Sequence, residues 1–101
     1  MTQTYDVVLD GQLGERFGTL TWTETGNEIT GSLFLLGCSN PICGKRSGQT
    51  LELTHELRTA VSLLRCRTHA ELCGEELSGV VVSDSARMKL RGKKQREVHS
   101  R

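Results

Sequence analysis

One predicted hairpin decides the fold of this chain: residues 17–36 read FGTLTWTETGNEITGSLFLL. In the first half, Leu20 and Trp22 fall on one side and threonines on the other, which is the two-residue period of a β-strand. The β-branched threonines suit the solvated side of a pleated surface. Gly26 and Asn27 then supply a turn, and the rest of the stretch reads as a second strand. The segment therefore predicts an antiparallel hairpin.

The same period-two alternation recurs outside the hairpin. Apolar side chains take every second position in four further segments, which are separated by Gly, Asp and Ser turn residues. Around Asn40 and Pro41 the chain reads as a corner or short irregular strand. Short strands with turns between them favour an all-β fold, an antiparallel meander that closes into a barrel of about seven or eight short strands. The four segments are Tyr5–Leu9, Gln49–Leu57, Glu76–Ser83 and Ala86–Arg91.

Residues 54–73 (THELRTAVSLLRCRTHAELC) leave an alternative open. Thr54 is a suitable helix N-cap and Gly74 a suitable C-terminal glycine. Four apolar residues between them have helical spacing. This pattern predicts an α+β fold with one helix over 54–73, whereas the strand interpretation splits the segment near Glu56–Arg58. The four apolar residues are Leu57, Ala60, Val61 and Leu64.

Size and charge indicate a single domain with a basic end. The chain has 101 residues, of which 36% are hydrophobic and 4% aromatic, enough for one modest core. Residues 1–86 contain six basic and eleven acidic residues, a net charge of −5, while residues 87–101 contain seven basic and one acidic residue, a net charge of +6. We expect one β domain over residues 1–92, followed by a basic tail, 93–101, that has little to bury and is disordered.

Several stretches resemble a group of small uncharacterised bacterial all-β proteins. Residues 9–20 (LDGQLGERFGTL) match the pattern LDxxLGxRxGxL, and residues 31–44 (GSLFLLGCSNPICG) match GxLxLLGxxNPxxG. The likeness covers most of residues 5–92 and consists of Gly and Leu positions, so it implies a fold and no function. It implies a strand over 58–72, and hence the barrel. The cysteines are not part of the shared pattern.

No catalytic or targeting motif stands out. The first residues, MTQTYDVVLDGQL, lack the basic and apolar regions of a signal peptide, and no run of about 18 uncharged apolar residues occurs. We therefore expect a cytoplasmic protein without membrane association and with reduced thiols. GxSxG, HExxH and a phosphate-binding glycine loop are absent from the sequence. We expect a protein that is not an enzyme and uses no cofactor.

The four cysteines have three interpretations. Free cysteine is often buried, so Cys38, Cys43, Cys66 and Cys73 are candidates for core packing. Thiolates also bind zinc in a tetrahedral set of four ligands, which makes the same residues a candidate structural metal site. Their separations, four residues within the first pair and six within the second, are looser than the CxxC pairs of zinc sites. Redox chemistry is a third hypothesis for these thiols.

Two groups of basic residues are candidate binding sites. Arg65, Arg67 and His69 alternate, so as part of a strand they share one face, and at a barrel mouth they would bind a small anionic ligand. On a helix they scatter and the site is lost. The second group lies at the C-terminal end, where it predicts docking on an acidic protein partner or on the acidic body of a second copy. It consists of Arg87, Lys89, Arg91, Lys93 and Lys94.

The partner classes differ in what the sequence offers them. Nucleic acid is disfavoured because the body is acidic and few aromatic residues are available to stack on bases. Self-association is favoured, because so small a core gains stability when outward apolar residues such as Leu36, Val80 and Val82 are buried between copies. We therefore expect a homo-oligomer.

Overall fold

The chain forms a closed eight-stranded antiparallel barrel. The computed structural model describes residues 2–11, 14–58, 63–84 and 86–95. Each strand pairs with the next along the chain, and β8 pairs with β1 to close the sheet. The all-β barrel and its number of strands were predicted correctly. The strands are β1 (Thr2–Gly11), β2 (Gly14–Thr25), β3 (Glu28–Leu35), β4 (Cys38–Ser47), β5 (Thr50–Arg58), β6 (Leu63–Cys73), β7 (Glu76–Ser83) and β8 (Arg87–Lys94).

Three details differ from the sequence interpretation. The alternative helix over 54–73 is wrong: β5 and β6 occupy the described part of this segment, 54–58 and 63–73, and the described residues contain no helix. The expected corner around Asn40 is part of a regular ten-residue strand, β4. The last strand continues to Lys94, past the expected domain end at 92, and residues 96–101 of the expected tail lie outside the described residues.

The interior is packed with side chains rather than hollow. Odd-numbered positions of β1 and even-numbered positions of β2 point inward, as the period-two pattern predicts. Tyr5 stacks on Trp22, with ring centroids 5.1 Å apart and planes 12° from parallel. The buried hydrophobic residues are Tyr5, Val7, Leu9, Leu20, Trp22, Ile29, Leu33, Leu35, Ile42, Leu51, Leu53, Leu57, Cys66, Ala70, Leu72, Leu77, Val81 and Leu90.

Close approach of strands helps the sheet to curve. At Gly31, a Cβ atom would lie 2.0 Å from the Thr21 carbonyl oxygen and 2.6 Å from the Trp22 Cα, a contact that no side chain tolerates. β2 and β3 therefore approach each other closely where Gly31 pairs with Trp22, and glycine is required there. The Trp22 side chain at this position is fully buried.

The end of the barrel that includes the turns at 26–27, 48–49 and 74–75 is closed by an ion pair, and we call it the Trp22 end. The Trp22 Nε1–H donates to Glu24 Oε2 at 2.9 Å, and Arg46 donates to the same oxygen at 2.7 Å. The hydrogen bond from Trp22, together with the Arg46 guanidinium, lowers the pKa of Glu24 against the opposing effect of burial. The opposite end, which includes Asn40, is the Asn40 end.

Candidate ligand-binding groove

The β5–β6 hairpin extends beyond its neighbours at the Asn40 end. The β4–β5 ladder stops at Ile42 and His55, and the β6–β7 ladder stops at Cys66. β5 and β6 remain paired as far as Arg58 and Leu63. In this extension β5 is no longer in the ladder with β4, and β6 is no longer in the ladder with β7, so a groove opens beside the hairpin.

The Asn40 carboxamide connects β4 to β5 where their backbone ladder has ended. Its Oδ1 accepts a hydrogen bond from the Arg58 backbone N–H at 3.0 Å, and its Nδ2 donates to the Leu33 carbonyl oxygen at 3.1 Å. The Asn40 side chain is buried, and the next residue, Pro41, has no N–H to donate. One amide thus satisfies backbone groups on both neighbouring strands and holds this wall of the groove.

The groove has a volume of about 820 Å³ and is bounded by β4, β5, β6 and β7. Three guanidinium groups line it, those of Arg58, Arg65 and Arg67, together with the carboxylates of Glu56 and Asp84. Ser39 and Thr54 add hydroxyl groups. The groove therefore combines a cluster of strong hydrogen-bond donors with a smaller number of acceptors.

The three arginines are available to a ligand. The register places Arg65 opposite Glu56 and Arg67 opposite Thr54. Within the described ranges, no ion pair or hydrogen bond engages the guanidinium groups of Arg58, Arg65 or Arg67. A guanidinium group has five N–H donors in a planar fork that fits a carboxylate or a phosphate.

The structure separates the three residues that the sequence grouped as an anion site. Arg65, Arg67 and His69 share one face of β6, as predicted for a strand, but this is the outer face of the barrel and not its interior. The His69 imidazole contacts the Glu52 carboxylate across the β5–β6 ladder and lies outside the groove. Arg58 joins the other two, and sequence reasoning missed it. Arg58 is two positions from Glu56 and shares the outer face of β5 with it, and this spacing was the signal available in the sequence.

Buried polar residues lie on the inner side of the groove. His55 Nδ1 is 3.4 Å from the Glu56 carbonyl oxygen, and His55 Nε2 is 2.6 Å from Thr68 Oγ1. Because a carbonyl oxygen can only accept, the neutral ring donates from Nδ1 and accepts from the Thr68 hydroxyl. Burial lowers the pKa of His55, and burial raises the pKa of Cys66, its partner in the β5–β6 register. Both residues therefore favour their neutral forms.

The structure does not bring the four cysteines together as a metal site. Cys66 is buried inside the barrel, Cys38 is half-buried at the Asn40 end, and Cys43 and Cys73 are exposed on β4 and β6. In the part of the chain that the structure describes, no group of three or more His, Cys, Asp or Glu side chains is placed to hold a metal ion. Cys66 alone contributes to the core.

The basic residues of β8 occupy its outer face. Four of them, Arg87, Lys89, Arg91 and Lys93, alternate with the inward-facing Leu90 and its neighbours, and Lys94 ends the strand. Arg91 forms an ion pair with Glu15 at 2.6 Å. The apolar residues that we expected at an interface between copies are divided: Leu36 follows β3, whereas Val80 and Val82 lie on β7, four strands away around the barrel. These three residues therefore do not form one surface.

Comparison with known proteins identifies the fold. No protein-family model matches the sequence, and no curated protein matches it. Two solved structures share the architecture. A redesigned β-barrel, mFAP1, solved bound to DFHBI, superposes with a TM-score of 0.66 at 12% identity, covering 92% of each chain. A second redesigned β-barrel, b11L5F_LGL, has a TM-score of 0.61 at 13% identity and covers 94% of this chain and 90% of its own.

The chain is thus a small β-barrel of the same fold as these redesigned proteins. At such low identity the likeness concerns the fold alone, and the site must be argued from its own residues. Across its described residues the chain has no helix of the length and hydrophobicity needed to cross a lipid bilayer.

Proposed function

We propose that this barrel is a ligand-binding domain and not an enzyme, and that its groove binds a small anionic ligand. The observation that supports the proposal is the convergence of Arg58, Arg65 and Arg67 in one groove, with no described acid engaging them. Arg65 and Arg67 are neighbours on one face of β6, and Arg58 lies diagonally across from Arg65 on β5, so an anion bound beside them is attracted by all three charges and satisfies their donors.

The groove also limits the kind of anion. Its volume of about 820 Å³ lies within the range of small-molecule sites. Glu56 and Asp84 oppose a second or third negative charge, and they accept hydrogen bonds. The ligand that fits best is a carboxylate or phosphate that also has hydroxyl groups, which donate to these two side chains.

A binding role is favoured over catalysis by the state of the residues nearest the groove. Cys66 is buried and its raised pKa favours the unreactive thiol over the thiolate. The His55 ring is fully used in hydrogen bonds to Glu56 and Thr68. Neither group is free to act as a nucleophile or a base. That mFAP1, a barrel of the same fold, was solved with DFHBI bound is compatible with a ligand-binding role.

Titration of the protein with gluconate and with glucose 6-phosphate, followed by nuclear magnetic resonance, tests the proposal. We expect saturable shifts of the arginine side-chain signals of the groove with at least one of the two probes. Arg67→Lys keeps the charge but loses the planar fork, so it is expected to weaken binding about tenfold. Arg67→Gln removes the charge as well and is expected to weaken binding further. Its matched control is Lys45→Gln, which removes an exposed cation on β4 outside the groove.

Two results would contradict the proposal. One is the absence of saturable shifts with both probes at millimolar concentration. The other is binding that falls as much in Lys45→Gln as in Arg67→Gln, because this would indicate attraction to overall charge and not to the groove.

A further inference from the structure

The outer face of β7 has a short apolar stripe between two basic rows. β6, β7 and β8 are consecutive strands of the meander, so their outward side chains line up in cross-strand rungs. Val82 is 44% exposed and Val80 is half-buried. Each valine has a basic residue as its neighbour on both sides. The two rungs are Arg67–Val82–Arg87 and His69–Val80–Lys89.

The available positive charge is concentrated around Val82. Arg91 is engaged by Glu15, and His69 contacts Glu52. Among the described side chains, no ion pair engages Arg87 or Lys89. The two basic rows are two interstrand spacings apart, about 10 Å, so long side chains from both can reach one chain lying over β7.

The composition of this surface selects among anionic macromolecules. The exposed aromatic residues, Phe17 and Phe34, lie on β2 and β3, on another part of the barrel, so they cannot stack on bases held over β7. An apolar stripe also offers neither charge nor hydrogen-bond donors to a phosphate backbone, whereas it fits the alternating apolar side chains of a polypeptide.

We propose that the outer face of β6, β7 and β8 binds an acidic, extended polypeptide segment from a partner protein. The valine stripe contacts apolar side chains of this segment, while Arg67, Arg87 and Lys89 pair with its carboxylates. The segment lies along β7, and about seven residues are enough to follow the strand. This surface meets the anion groove at Arg67 and Val82, but Arg87 and Lys89 lie outside the groove, so the inference extends beyond the proposed function.

Fluorescence anisotropy with a labelled seven-residue peptide of alternating Glu and Val tests the inference. We expect saturable binding that weakens with added salt, and about tenfold weaker binding by the double variant Val80→Thr/Val82→Thr. Threonine keeps the shape and the strand preference of valine, so the variant should fold. Arg67→Gln/Arg87→Gln is expected to lose binding more strongly, and Lys45→Gln to retain it.

Parallel measurements with an oligothymidine strand and with phosphatidylserine vesicles separate the other partner classes. Binding of either one as tightly as the peptide overturns the inference, as does peptide binding that is unchanged in the valine double variant. Sedimentation showing a dimer that dissociates in that variant also overturns it, since the stripe would then be an interface between copies. If gluconate or glucose 6-phosphate still binds while the peptide does not, the surface inference fails and the proposed groove function stands.

Discussion

The Asn40 Oδ1 atom accepts a hydrogen bond from the Arg58 backbone N–H at 3.0 Å, across the gap where β4 and β5 no longer pair. Through this bond a buried side chain sets the position of a residue that also contributes a guanidinium group to the groove. The Nδ2 group of the same amide donates a hydrogen bond to the Leu33 carbonyl oxygen. The stability of the barrel wall and the shape of the groove are therefore linked at Asn40.

We expect Asn40→Ala to lower the free energy of unfolding by about 2–3 kcal/mol. The substitution leaves the Arg58 N–H and the Leu33 carbonyl without their partner in a largely buried place. Urea denaturation measures the loss, and Ser39→Ala, at the adjacent exposed position, is the control. Equal stability of the two variants would show that water replaces the amide without cost.

His55 should make the stability depend on pH near neutrality. Burial lowers the pKa of His55 in the folded protein below its ordinary value of 6.5, so the unfolded chain binds a proton first as the pH falls. The contribution of the neutral His55 ring to stability is complete above pH 6.5. It decreases as the pH falls below 6.5, until the ring is protonated in the folded protein as well. We expect the melting temperature to decrease from about pH 6.5 towards pH 5.

Two histidine variants test this origin of the pH dependence. His55→Gln keeps a group that hydrogen-bonds to Thr68, but it removes the titrating ring, so the decrease between pH 6.5 and 5 should become smaller. His69→Gln removes an exposed imidazole and is the matched control. If the decrease is as steep in His55→Gln as in the parent protein, another group is responsible.

The sequence predicts the fold more completely than it predicts the groove. Alternation is visible within each strand taken alone. On β5, His55 and Leu57 point inward with a polar residue between them, and on β6, Cys66 and Thr68 do the same. The helix alternative arose because Leu57 and Leu64 are seven residues apart, which is a helical spacing. They face the same interior because they lie on two different strands, β5 and β6. The complete two-residue pattern over β6 decides in favour of a strand.

The groove depends on register, which no local pattern contains. Arg58 reaches the same groove as Arg65 only because β5 and β6 pair with a particular offset and their neighbours stop early. The bond of Asn40 to Arg58 spans 18 positions of the chain for the same reason. His69 was grouped with Arg65 and Arg67 as an anion site, but the register places it opposite Glu52, and the imidazole contacts that carboxylate instead.

The Glu24 carboxylate should stabilise the Trp22 end by accepting two hydrogen bonds at one oxygen. We expect Glu24→Ala to cost about 2 kcal/mol, because the buried Trp22 Nε1–H and the half-buried Arg46 guanidinium both lose their acceptor. The pKa of Glu24 is lowered in the folded protein by the hydrogen bond from Trp22 and by Arg46, so its contribution is present above pH 4.5 and is lost at lower pH.

A double-mutant cycle with Arg46→Ala separates the two partners of Glu24. The cost of Arg46→Ala should be smaller in the Glu24→Ala background, since the two residues act through one contact. Denaturation midpoints of the four proteins measure the coupling. Strictly additive effects would mean that the ion pair adds nothing beyond the bond to Trp22.

The turn between β3 and β4 contains a residue that is poorly suited to its backbone. Leu36 and Gly37 both have positive φ, 56° and 77°, as a two-residue type I′ hairpin turn requires. A left-handed conformation is unfavourable for leucine and is tolerated by asparagine. We expect Leu36→Asn to raise the free energy of unfolding by about 1 kcal/mol, and the melting temperature by about 4–8 °C.

The same substitution at Leu63 is the control for this turn. Leu63 is as exposed as Leu36, 51% against 48%, but it lies at the start of β6, where asparagine is disfavoured. Leu63→Asn should therefore leave the stability unchanged or lower it. Thermal unfolding followed by circular dichroism compares the two variants. If both are equally stabilised, the gain comes from removing exposed leucine and not from relieving the backbone at Leu36.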